Sequence, residues 1–91
     1  MNAKDVIMHL FGNANLRDIL INLYEGRDKI DDLREMAKHN PVLERDLEFL
    51  DLSGIIVGIF EKDGATDRYR YKLNDYGKKI AEIILGLEKK A

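Results

Sequence analysis

"HNPVLERDLEFLDLSGII", residues 39–56, holds a helix start, a helix body, a helix stop and the opening of a strand in one short run. Asn40 is a capping residue type, and Pro41 suits the first helical position, where a missing N–H costs nothing. Leu43, Leu47 and Leu50 recur at helical spacing and share one face. Gly54 suits the left-handed residue that ends a helix, and the β-branched run from Ile55 begins a strand. The stretch therefore predicts a helix over 41–53. With the leucines inward, its outer face gathers Pro41, Glu44, Arg45, Glu48 and Leu52, with Phe49 at the edge. The run carries four acids, Glu44, Asp46, Glu48 and Asp51, against the single arginine Arg45.

Upstream, Val6, Ile7, Leu10 and Phe11 predict a helix from Ala3 to Phe11 behind an Asn2 cap, closed by Gly12 and Asn13. Asn15 is read as the next cap. Leu16, Ile19, Leu20, Leu23 and Tyr24 then form an apolar stripe that stops at Gly26. Ile30 is read as a short strand contact, followed by a brief helix capped by Asp31 with Leu33, Met36 and Ala37 inward. Two short helices joined by about three residues make a helix-turn-helix.

Downstream, "IIVGIF" reads as a strand, "EKDGATD" as a turn around Gly64, and "RYRYKL" as a second strand in strict alternation. Tyr69, Tyr71 and Leu73 fall on one face, with Arg68, Arg70 and Lys72 on the other. The hairpin thus spans 55–73 and has a basic outer face. Asn74 caps a final helix whose Tyr76, Ile80, Ile83, Ile84 and Leu87 share a face, while Leu85 widens the apolar arc. No repeat, linker or low-complexity stretch interrupts the chain.

At 91 residues, 45% hydrophobic and 35% charged, the composition is that of one folded domain rather than a disordered segment. The absence of cysteine removes disulfides, thiol nucleophiles and Cys-based zinc sites. His9 and His39 have no ligand or carboxylate at a spacing that zinc or a catalytic relay would use, so no metal and no cofactor is expected. No nucleophile with a base and no glycine-rich phosphate loop points to an enzyme. No apolar run reaches the ~20 residues that a membrane span requires, and the N-terminus does not read as a signal peptide, so a cytoplasmic protein is expected. Glutamine is absent as well, and the charge content is high, a bias that thermophile proteins often show. The net charge of −2 is uneven: residues 1–60 hold 7 bases and 11 acids, residues 61–91 hold 8 bases and 6 acids. Any grip on nucleic acid must therefore come from a local patch.

The order of elements is that of a winged helix-turn-helix. "ILINLYEG" (residues 19–26), "LERDLEFLDLSGII" (43–56) and "YRYKLNDYGKKI" (69–80) together resemble the HxlR-like and ArsR-like winged-helix transcriptional regulators over roughly residues 15–80. Asn74 stands where those families usually have Thr, and Asp46 where HxlR-like proteins commonly have Arg. The resemblance implies an α+β fold, a three-helix core with a β-hairpin wing and additional N- and C-terminal helices. It also implies a homodimer that lays the helix beginning at Pro41 into the major groove of double-stranded DNA and its hairpin along the backbone.

The expected organisation is one domain over 1–91, with an N-terminal helix in 1–13, a winged-helix core in 14–74 and a C-terminal dimerisation helix in 75–91. The candidate DNA-contacting residues are Pro41, Glu44, Arg45, Glu48, Arg68, Arg70 and Lys72. Three cations on one strand face suit phosphate contact, while Arg45 suits guanine and the glutamates suit a cytosine amino group. The competing reading of Glu44, Arg45 and Glu48 is a solvated helix face on which Arg45 pairs with one of the glutamates. The candidate dimer interface is Val6, Leu10, Phe11, Tyr76, Ile80, Ile83, Ile84 and Leu87, because the last helix is apolar over a wider arc than a small core needs. The alternative function is a protein-docking module without DNA binding, with Phe49 and Leu52 as its contact residues.

Overall fold

The computed structural model describes the backbone of residues 2–63 and 66–90, and their side chains except those of Ile30, residues 60–63 and 66–69, and Lys90. Five helices and one hairpin follow in the order α1 (Ala3–Phe11), α2 (Ala14–Tyr24), α3 (Ile30–His39), α4 (Leu43–Leu52), β1 (Ile56–Asp63), β2 (Thr66–Leu73) and α5 (Asp75–Lys90). This is the expected α+β winged helix-turn-helix with an added helix at each end.

Caps and glycines set most of the boundaries. Asn2 accepts a hydrogen bond from the Asp5 N–H at 2.9 Å and opens α1. Asn13, not Asn15, opens α2, its Oδ1 accepting from the Leu16 N–H at 3.2 Å. Gly26 (φ 86°) and Gly54 (φ 74°) adopt the left-handed conformation that closes α2 and α4. At each, paired bonds run back into the helix: Arg27 N–H to Asn22 O and Gly26 N–H to Leu23 O, then Ile55 N–H to Leu50 O and Gly54 N–H to Asp51 O.

Four expectations give way in the middle of the chain. Ile30 is the first residue of α3 rather than a strand contact, and the described sheet has two strands only. Asp31 and Asp32 lie in the first turn of α3, where acids complement the helix dipole, and the Asp32 carboxylate accepts the Lys29 N–H at 3.2 Å. Asp31 is therefore not the cap. The α4 helix begins at Leu43, two residues later than expected, because Pro41 and Val42 form a turn held by the Asn40 side chain. Ala37 faces solvent, while Met36 is buried.

The strands pair antiparallel with Ile56 opposite Leu73, Gly58 opposite Tyr71 and Ile59 opposite Arg70. One core collects Val6 and Leu10 from α1, Leu16, Ile19, Leu20 and Leu23 from α2, Met36 from α3, and Leu43, Leu47 and Leu50 from α4; Ile55, Ile56, Leu73, Ile80, Ala81 and Ile84 complete it. Gly77 lets α5 lie directly on the start of the hairpin: a Cβ there would sit 2.1 Å from the Ile55 carbonyl oxygen. Asn74 fixes the same junction, capping α5 by accepting the Gly77 N–H at 2.7 Å while its Nδ2 donates to the Gly54 carbonyl. None of the described helices is long and apolar enough to cross a membrane.

Candidate nucleic-acid interface

The turn between α3 and α4 is built around two buried polar residues. Asn40 Nδ2 donates to Asp46 Oδ2 at 2.9 Å, and Asn40 Oδ1 accepts the Val42 N–H at 3.0 Å. Both Asn40 and Asp46 are buried. A buried polar pair that satisfies each member fixes a geometry more tightly than apolar packing does, because any other arrangement leaves a desolvated group unbonded. Asp46 is thus an inward residue that orients α4. It does not add to the charge of the outer face.

That outer face is as the helical wheel placed it. Pro41, Glu44, Arg45, Glu48 and Leu52 are exposed, and Phe49 is half-buried at the edge, its ring centroid 4.5 Å from that of His9 on α1. Arg45 does not bridge to Glu44 or Glu48; its nearest carboxylate is Asp46, with Nε–Oδ1 at 4.0 Å. Glu44 and Glu48 have no ion-pair partner among the described residues. The row therefore offers one cation flanked by two unpaired carboxylates.

Among the described residues the hairpin differs from its expected form in two respects: its strands run through Asp63 and from Thr66, so the turn is shorter than the expected 61–67, and Arg70 is not an outward cation. Lys72 is exposed, as expected of a cation meeting phosphate. Arg70 instead turns to the corner between α2 and α3, where its Nη2 donates to both carboxylate oxygens of Asp28 at 3.2 Å. Asp28 is buried and the Arg70 side chain is three-quarters buried, so this guanidinium is withdrawn from the outer face. The side chain of Arg68 and the turn around Gly64 lie outside the described residues. Tyr71 packs against the core, as its strand face predicts.

Several other exposed cations are paired locally, whereas Lys78, which lines a pocket with Lys72 and Asp28, is exposed. Arg27 pairs with Glu25 at 3.1 Å, Arg34 with Asp31 at 3.7 Å and Lys38 with Glu35 at 3.0 Å. The Lys38 ammonium, by hydrogen bond and charge, holds the Glu35 carboxyl below its ordinary pKa, with His39 adding a smaller effect. Exposed pairs of this kind contribute little to stability.

On the opposite side, the candidate dimer residues divide by burial. Val6, Leu10, Ile80 and Ile84 lie in the protomer's own core and present no surface to a partner. Phe11, Tyr76, Ile83 and Leu87 are exposed, and Ile7, Met8, Phe11, Gly12 and Leu87 line an open apolar groove between α1 and α5. Arg17 supports this face. Its Nη1 donates to the Leu10 and Phe11 carbonyls at the end of α1, its Nε lies 3.2 Å from Glu88 Oε1 on α5, and its guanidinium sits 5.7 Å from the Phe11 ring centre. The sequence reading passed over Arg17 and Asp28, because their partners lie on other elements and no local spacing announces them.

No family model matches the chain, and no curated protein matches it. Among solved structures, the crystal structure of Pex from Synechococcus sp. (strain PCC 7942) is similar over 96% of this chain and 97% of that chain, at 21% identity and a TM-score of 0.49.

Proposed function

We propose that the chain is a DNA-binding transcriptional regulator, working as a homodimer, that sets α4 in the major groove of double-stranded DNA with the hairpin on the backbone. The observation that carries this reading is the exposed row Glu44, Arg45 and Glu48 on α4, with exposed Pro41 in the turn before it, on a helix whose entry is fixed by the buried Asn40–Asp46 bond. A helix held this way fits a groove about 12 Å wide and can hold side chains in register with base edges. Arg45 would address guanine, and Glu44 or Glu48 the amino group of cytosine. Lys72, exposed on the hairpin, supplies a phosphate contact, and the activity is binding rather than catalysis.

Two exposed acids beside one arginine on the proposed reading helix imply weak sequence-independent affinity. A titration on random duplex at two salt concentrations should show binding at low salt that falls as salt rises, by about 0.9 in log–log slope per phosphate neutralised. Lys72→Ala should flatten the slope by about that amount for each Lys72 in contact. No binding at low salt would contradict the reading.

A second reading rests on Leu52, which is 80% exposed at the end of α4 next to the half-buried Phe49. In it, the same acidic face docks a protein and makes no DNA contact. Leu52→Ser would then abolish capture of that partner while leaving any duplex titration flat.

A further inference from the structure

From the Asp28–Arg70 contact we infer that Asp28 is a specificity-determining residue, one that withdraws Arg70, one of the hairpin's two arginines, from phosphate and so limits attraction to DNA of arbitrary sequence. The inference rests on the DNA-binding reading above. Arg70 and Lys72 share a strand face by alternation, yet only Lys72 is exposed. The difference is a carboxylate 42 positions away in the chain, 7% exposed, which takes Arg70 Nη2 on both oxygens at 3.2 Å. Packing alone does not call for such a pair, since a buried ion pair is often no more stabilising than apolar side chains of similar size. What the pair changes is the field. It cancels one wing cation on a chain whose proposed reading helix already carries the unpaired Glu44 and Glu48. Lower attraction to phosphate widens the gap between a site with matching base edges and one without, which is specificity gained by weakening the wrong complex.

The residue at 28 sits where its charge can be removed without removing its shape. Arg70 retains a path to solvent, its side chain being 24% exposed, so a neutral residue at 28 removes the Asp28 charge from a guanidinium that reaches solvent. Asp28→Asn, Asp28→Asn with Arg70→Gln, and Arg70→Gln alone would be compared with the wild type by anisotropy on random duplex at two salt concentrations, with a circular-dichroism melt for each. Asp28→Asn is expected to tighten binding several-fold and steepen the slope by about 0.9 for each phosphate that Arg70 now meets. The double variant is expected to return to the wild-type slope, and Arg70→Gln alone to keep it. If the wild type binds but Asp28→Asn binds no tighter, Asp28 is only a clasp between the hairpin and the α2–α3 corner, and the DNA reading stands. If neither binds at low salt, both the inference and the DNA reading fall. Should Asp28→Asn not fold, Arg70→Gln decides: an unchanged slope supports the inference, and a flatter one overturns it.

Discussion

Gly77 is a residue at which the packing leaves no room for a side chain. The 2.1 Å that would separate an added Cβ from the Ile55 carbonyl oxygen is far inside contact distance, and the opposing atom is backbone that cannot rotate away. Gly77→Ala should push α5 off the start of β1 and cost about 1–3 kcal/mol, the usual range for overpacking. In a domain this size that is a fall in melting temperature of about 4–8 °C per kcal/mol, measurable by calorimetry. Many residue roles that depend on near neighbours are legible in the sequence. Asn2, Asn74, Gly26 and Gly54 were read as caps and stops from their own segments. Asp46 was read as part of an acidic run, although its spacing from Leu43, Leu47 and Leu50 puts it on the inner face; what hid its role was the partner Asn40 across the turn. The second bond of Asn74, to the Gly54 carbonyl, joins residues 20 positions apart and has no local signal.

The element whose properties bear most on function is α4, with Glu44 and Glu48 exposed on either side of Arg45. If these acids restrain attraction to phosphate, Glu44→Gln with Glu48→Gln should leave the melting temperature nearly unchanged and tighten binding to random duplex several-fold. Like charges a few ångströms apart are worth about 1 kcal/mol in water, which sets that scale. The gap between preferred and random sequence should narrow in the same experiment. A double variant that binds no tighter than a binding wild type would make the acids bystanders. Most elements were legible at this scale, because leucine spacing, strand alternation and glycine stops act within each segment. The errors fell where two local signals compete. Asn13 and Asn15 are both capping types, and the earlier one takes the role. Ile30 is β-branched and reads as strand, but the two aspartates behind it favour a helix start, and the helix wins.

For the whole molecule, the apolar face on α1 and α5 is the feature that a lone protomer leaves exposed. Sequence pattern alone could not divide the broad arc of α5, since periodicity reports that residues are apolar and not which of them the protomer itself covers. The fold makes the division: Ile84 is fully buried inside, and Ile83 is 44% exposed beside Leu87. A homodimer through this face predicts twice the 10.5 kDa chain mass by light scattering. Ile83→Asp should halve that mass while the fold persists, whereas Ile84→Asp should unfold the protomer by burying an unpaired charge. A wild-type monomer at tens of micromolar would contradict the dimer. The central claim, that α4 and the hairpin form a DNA-binding face, is tested most directly by amide chemical-shift mapping with a short duplex at low salt. The shifts should concentrate on residues 41–52 and around Lys72, with those of Ile83 and Leu87 unmoved. Shifts confined to the α1–α5 face, or none at saturating duplex, would contradict it.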